Sequence, residues 1–238
     1  GYRIRPNQTA FIDALNALRD SIETTECALA GQVAGLKGPV KITSTDSLCD
    51  SVLPAIVAGL RGRHPDLSLE LLASNQRLDL GQLDAEVTVR PAKSLPDDLV
   101  GTRVSSLAFG VFGHKSYLSK QSGPHDWLAC SGPLLRSPAG AWQSKNVESD
   151  QITLSADSFL SLHKLCKQGM GLAILPCCIV ALSDNLIQKR DFFSDMTTEI
   201  WVANHRDLND MPRIAACREY LVEKLRDQSD LLSGLTFR

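Results

Sequence analysis

Aromatic residues make up only 5% of this 238-residue chain, and no apolar run approaches the ~20 residues that a membrane span requires. Lysine and arginine nowhere gather into a dense patch, and the formal net charge is −2, which argues against this stretch itself gripping a phosphate backbone. The first residues lack the basic start and apolar middle of a secretion signal, and there is no initiator Met, so the chain reads as a fragment or a processed product. A Gly-x-Ser-x-Gly elbow, a phosphate loop and a His-Glu-x-x-His pair are all absent. The five histidines (64, 114, 125, 163 and 205) are dispersed. Nothing here favours catalysis, a metal or a cofactor. What remains is an ordinary globular composition, 43% hydrophobic and 22% charged, in a chain long enough to bury a sizeable core.

Seven cysteines stand at 27, 49, 130, 166, 177, 178 and 217 without paired spacing. An odd, scattered set reads as reduced thiols in a cytosolic protein. The adjacent Cys177 and Cys178 could close a disulfide only with strain, and they read as small buried apolar residues.

Along the chain, Phe11, Leu15, Leu18 and Ile22 recur at heptad spacing with charges between them. That pattern predicts a helix over about 8–30 with a narrow apolar seam, packed on its own domain or on another chain. After Gly38 strands and helices alternate: strands at Val40–Thr43, "DLSLELLAS" and "AEVTVRP", with helices at "LCDSVLPAIVAGLRGRHPD" and "QRLDLGQLD" between them. Pro54 either kinks the first of those helices or marks its true start. The run Arg61-Gly62-Arg63-His64 falls in the last helical turn, where cations favour the negative end of the dipole. Strands follow at Leu99–Arg103 and Leu107–Phe112.

A second series has a helical turn at "SYLSK", strands at "GPLLRS" and "QITLSA", a helix at "DSFLSLHKLCKQGMG", strands at "LAILP" and "TTEIWVANH", and a last amphipathic helix "RIAACREYLVEKLRDQ". The order predicts an α/β fold with a largely parallel sheet covered on both faces. In "GMGLAILP", Gly169 caps the preceding helix in a left-handed conformation and Gly171 permits a close backbone approach. Leu172–Leu175 then read as a strand buried on both faces, closed by Pro176 at the carboxyl edge where α/β folds bind ligands.

Several of these stretches carry a family resemblance. "GPVKITSTDSLCDSVLPAIVAGLRGRHPDLSLELL" resembles the start of the effector-binding domain of LysR-type transcriptional regulators: a Gly, a short strand, a small polar cluster, a helix with Leu-Pro, then His-Pro-Asp. "GQLDAEVTVRP" looks like that family's Asp-hydrophobic-Ala-hydrophobic-Arg stretch, with Glu86 where the family usually has Asp. "GMGLAILP" resembles its Gly-x-Gly-x-x-x-Leu-Pro signature, and "GYRIRPNQ" looks like the end of a winged DNA-binding domain leading into a linker helix. The resemblance covers Gly1 to about Tyr220.

It implies a periplasmic-binding-protein-like fold of two Rossmann-like subdomains with a cleft between them. Residues 1–37 would be the end of the winged helix-turn-helix and the linker helix. Residues 38–111 plus 204–238 would form subdomain I, and 112–203 subdomain II. The implied partners are a small-molecule effector, DNA through an N-terminal domain ahead of Gly1, and further copies of the chain in a homodimer or homotetramer. The implied setting is cytoplasmic, with no membrane, no cofactor and no enzymatic activity.

The cleft residues follow from where the strands end. Ser44, Thr45, Asp46 and Ser47 occupy the first strand-to-helix turn, where unpaired amides can bind an anion or carbonyl and one side chain caps the helix. Ser74, Asn75 and Gln76 follow the second strand, and Arg90 ends the third, placed for carboxylate recognition. From subdomain II, Ser155, Asp157 and Ser158 stand at a helix start facing the first cluster. Two other readings share these features: a transporter's solute receptor of the same fold, which needs export, and a thiol redox sensor, for which Cys166 between Lys164 and Lys167 is the one candidate.

Overall fold

The computed structural model describes residues 36–76, 85–120, 122–180, 185–192 and 196–235, together with positions 14, 15, 18, 21 and 22. Those last positions are helical, and Leu15, Leu18 and Ile22 of the predicted seam are 49%, 58% and 51% exposed. Phe11 and all but Gln76 of the predicted helix at "QRLDLGQLD" lie outside the described residues.

Apolar β-branched and leucine runs build the sheet. Strand β1 (Gly38–Ser44) pairs in parallel with β2 (Leu67–Ala73) on one side and with β3 (Val87–Pro91) on the other. The long β4 (Leu99–His114) runs antiparallel to β9 (Thr197–His205), and β9 in turn runs antiparallel to β3. Beyond Ala108, β4 changes partner and pairs with β7 (Leu172–Pro176), which is parallel to β5 (Trp127–Cys130), itself parallel to β6 (Ile152–Ala156). A short β8 (Leu186–Gln188) also pairs with β4. The order across the sheet is β2-β1-β3-β9-β4-β7-β5-β6.

Two parallel lobes are therefore joined through an antiparallel pair. The sequence pattern suggests two strands between 99 and 112; the structure has one, because nothing from Val104 to Ser106 breaks it and the spare residue is absorbed by a register shift between Arg103 and Ser105.

Pro54 proves to be a start. Helix α1 (Asp46–Ser51) ends at Val52, and α2 (Leu53–Arg63) begins with Pro54 in its first turn, where no amide donor is lost. Leu48, Leu53 and Leu60 from these helices are fully buried, and Arg61 and Arg63 lie in the last turn as expected. The helical turn α3 (Lys115–Leu118) follows β4.

The stretch "GPLLRS" is a correction. It is a 3-10 turn (Gly132–Arg136), because Gly132 takes a φ of +52° ahead of Pro133 and the chain winds rather than extends. The strand lies one segment earlier, in the fully buried "WLAC" of β5. Sequence patterning also misses α4 (Pro138–Asn146), whose Ser137 cap accepts a hydrogen bond from the Gly140 amide at 3.1 Å. Buried Gln143 on α4 completes β5, accepting from the Cys130 amide at 2.8 Å and donating to the Leu128 carbonyl at 3.2 Å.

The segment "GMGLAILP" behaves as read. Helix α5 (Phe159–Lys167) is closed by Gly169 at φ +73°. Gly171 has φ +146°, and a Cβ there would sit 2.6 Å from the Asp126 carbonyl oxygen. All five residues of β7 are buried. Cys177 and Cys178 start the short buried helix α6 (Cys177–Val180).

The long C-terminal α7 (Pro212–Asp227) turns Ile214, Cys217, Leu221 and Leu225 inward, and the short α8 (Ser229–Leu232) buries Leu232. Helix α7 is fastened to the sheet by Arg213. Its Nη2 lies 3.0 Å from Glu86 Oε1, its Nε donates to the Pro39 carbonyl at 3.0 Å, and Glu86 Oε2 accepts the Lys41 amide at 3.0 Å.

Candidate functional site

The predicted polar clusters sit where parallel strands end and helices begin. Each strand-to-helix turn carries small hydroxyl and acid residues because they hydrogen-bond the free first-turn amides. Ser44 is fully buried, and its hydroxyl donates to the Val89 carbonyl at 2.6 Å, so it ties β1 to β3. Half-buried Thr45 precedes α1 and makes no side-chain cap; its Oγ1 lies 3.2 Å from buried Ser47 Oγ. Asp46 takes over the turn, its Oδ1 accepting the Ser47 amide at 2.6 Å while its own amide donates to Asn75 Oδ1 at 3.2 Å.

Arg90 reaches from the end of β3, donating from Nη1 to the Gln76 carbonyl at 2.6 Å and from Nη2 to Thr43 Oγ1 at 3.4 Å. Its Nε is buried with no partner among the described residues. Burial lowers the Arg90 pKa, opposed by Cys49 nearby. On the second lobe, Ser158 caps α5 by accepting the Ser161 amide at 3.3 Å. Asp157 is exposed, and Ser155 is an exposed residue of β6, in register with Ala129.

Among the described residues, two side-chain hydrogen bonds at these turns cross between the lobes. Ser158 Oγ donates to Asp46 Oδ2 at 2.5 Å, and Asn75 Nδ2 donates to the Asp157 carbonyl at 3.3 Å. Thus Asp46, Asn75, Asp157 and Ser158 are brought together, with Thr45 and Ser47 beside them. Arg90 approaches the same turn on Cys49's side, whereas Ser155 makes no part of this ring. Sequence reasoning flags both hydroxyl-rich turns but not their contact, which depends on lobe geometry that no local pattern encodes. Among the described residues the buried Ser105 hydroxyl, at the register shift of β4, has no hydrogen-bond partner.

Cys27 lies outside the described residues, and the other six thiols are partly or wholly buried. Cys130, Cys166, Cys177, Cys178 and Cys217 are buried and free, and burial pushes Cys166 and Cys217 up to about 12. Cys49 is half-buried; burial and then the Asp46 charge raise it to about 11. Cys166 is fully buried and burial raises its pKa, the opposite of the exposed, activated thiol that a redox sensor needs.

Among the described residues no group of three His, Cys, Asp or Glu side chains could hold a metal, and no helix is long and apolar enough to cross a membrane. Open grooves of about 610 Å³ (between α2 and β2) and about 450 Å³ (between α7 and β4) lie apart from the interlobe residues.

Residues 34–226 match the family model described as the LysR substrate binding domain. The chain belongs to that family. It is the effector-binding domain of a LysR-type transcriptional regulator, and a transporter receptor is not favoured. A transcriptional regulator of the helix-turn-helix type from Xanthomonas campestris pv. campestris (strain 8004) is 27% identical over 104 residues, which is 43% of this chain and 30% of that protein. The chain thus matches under a third of this curated relative's length.

Solved structures share the LysR effector-domain fold. The CrgA regulatory domain of Neisseria meningitidis is similar at a TM-score of 0.67 and 20% identity, covering 79% of this chain and 99% of that one. The AmpR effector domain of Pseudomonas aeruginosa gives 0.65 and 15%, covering 81% and 97%. Full-length AphB, a Vibrio cholerae virulence activator, gives 0.67 and 17%, covering 93% of this chain and 80% of that one. The two-lobed, periplasmic-binding-protein-like architecture expected from the sequence is the one these comparisons support.

Proposed function

We propose that this domain binds a small-molecule effector between its lobes and transmits the event to DNA-binding heads joined through the N-terminal helix. Residues 38–111 plus 204–238 act as one lobe and 112–203 as the other, with β4 and β9 flexing between them. The observation that carries this reading is the family match over 34–226, with hydroxyl-rich helix starts from both lobes meeting at one place. Thr45, Asp46, Ser47, Asn75, Asp157 and Ser158, with the Nε of Arg90, form the polar wall of the effector site. Ser44 supports that wall through Val89, and Ser155 lies at its rim.

Leu15, Leu18 and Ile22, helical positions each about half exposed, are the surface on which copies of the chain associate as a homodimer or homotetramer. The regulator works in the cytoplasm and catalyses nothing. Effector binding changes the relative angle of the lobes, and the association carries that change to the DNA-bound heads.

A thermal-shift screen of amino acids, sugars and aromatic acids tests the site. A binder should raise the Tm of the wild-type domain, and Thr45→Val and Asp157→Ala should each abolish that rise. A binder whose shift survives both substitutions would place the effector elsewhere.

A further inference from the structure

The interlobe hydrogen bonds made by Ser158 and Asn75 are links in a closed ring. Asp46 is joined to Asn75 through its amide (3.2 Å), Asn75 to Asp157 (3.3 Å), Asp157 to Ser158 by the peptide bond, and Ser158 back to Asp46 through its hydroxyl (2.5 Å). Each side chain in the ring also holds its own lobe in order: Asp46 Oδ1 holds the Ser47 amide, and Ser158 Oγ the Ser161 amide. Breaking one interlobe bond therefore loosens the geometry of the other, so the ring opens as a unit.

Around it the lobes touch through apolar and small residues. Helix α1 packs on α5 and α6, and the Ser51 hydroxyl hydrogen-bonds the Cys178 thiol. The Ser158–Asp46 bond, at 2.5 Å, is the shorter of the two interlobe links in the ring.

We infer that Asp46, Asn75, Asp157 and Ser158 form a latch that holds the lobes together. Ligand entry at this point must release it. A releasing group has to replace both halves of the broken pair, giving Asp46 a donor and Ser158 an acceptor, because an unpaired carboxylate or hydroxyl left at a half-buried contact costs free energy. An amide or a hydroxyl on the ligand meets both demands, whereas a bare carboxylate meets only the second and is repelled by Asp46. This last step rests on the effector-site reading above. The latch itself does not.

Hydrogen exchange on the ligand-free domain, read by mass spectrometry, tests it. Asn75→Asp keeps the acceptor for the Asp46 amide, removes the donor to Asp157 and sets a second carboxylate beside Asp46. Asp46→Ser keeps a short helix-starting oxygen that cannot reach Ser158. Both substitutions lie on the first lobe, so a change in α5 and α6 reports the contact between lobes.

The expected result is exchange about tenfold faster in Phe159–Lys167 and Cys177–Val180 in both variants, with β5 and β7 unchanged; tenfold is the factor that loss of ~1.4 kcal/mol produces. Wild-type exchange in α5 and α6 in both variants would overturn the latch. If β5 and β7 also accelerate in Asp46→Ser, that variant has lost its fold, and the loop variant Asn75→Asp then decides. No effector is added, so the outcome stands whether or not the cleft proves to be the effector site.

Discussion

Replacing Glu86 with Ala should be among the most damaging changes that leave the apolar core intact. The Glu86 carboxylate meets Arg213 Nη2 at 3.0 Å and the Lys41 amide at 3.0 Å, and the two side chains of the pair are 20% and 9% exposed. Truncation takes the carboxylate away from a nearly buried guanidinium and from a backbone amide. Losing one partner of a fully buried pair costs ~3–5 kcal/mol, and the residual exposure of Glu86 argues for the lower end, about 3 kcal/mol. With a urea m-value of ~2 kcal/mol/M, the midpoint should fall by about 1.5 M.

Arg213→Ala should cost a similar amount, since it also strands the Pro39 carbonyl. The double variant should cost less than the sum, with a coupling of about 1–3 kcal/mol. Equilibrium urea unfolding of the four proteins measures all three quantities. Additive effects, or a loss below about 1 kcal/mol for Glu86→Ala, would refute the view that this pair clamps α7 to the sheet.

Other outcomes follow from the same coordinates. Gly171→Ala places a Cβ 2.6 Å from the Asp126 carbonyl at φ +146°, so strain and overpacking together should cost about 3 kcal/mol and lower the Tm by roughly 6–12 °C; an unchanged Tm would contradict that close approach. Timed alkylation with peptide mapping should label Cys49 before Cys130, Cys166, Cys177, Cys178 and Cys217, which should react only on unfolding. Early labelling of Cys166 would revive the redox reading.

Burial, with Lys167, lowers the His163 pKa below its usual 6.5. As pH falls through ~6.5 the unfolded chain takes up a proton that the folded one refuses, so stability should decline on acidification. Urea midpoints at pH 7.5 and 5.5 should differ less in His163→Gln than in wild type; equal differences would sink this assignment.

How far the sequence carried depended on where the information sits. Leu172–Leu175 and the two glycines before them announce a buried strand and its entry locally, because backbone conformation and burial are both written in adjacent residues. Pro54 likewise marks a helix start that the structure honours. "GPLLRS" misleads because its leucines look like a strand, while Gly132 at φ +52° decides otherwise. Helix α4 was invisible for a related reason: Gly140, Trp142 and Gln143 carry no helical apolar stripe, and their partner is the end of β5.

The site divides in the same way. Thr45–Ser47 and Ser158 stand out as helix-start chemistry, but the pairing of Asp46 with a hydroxyl 112 positions away depends on tertiary placement. Arg90 is legible as the cation that ends β3, yet its commitment to the Gln76 carbonyl is not.

Strand β4 has a further consequence. It spends Leu99–Ala108 on β9 and Phe109–Phe112 on β7, so no cut through the chain leaves either lobe with a complete sheet. Domains tethered by a flexible linker can melt separately, each with its own midpoint. Here the loss of either lobe strips hydrogen bonds from a strand that the other needs, and the pair shares one fate. Heat or denaturant should therefore find a single cooperative unit, even though the eye divides it in two.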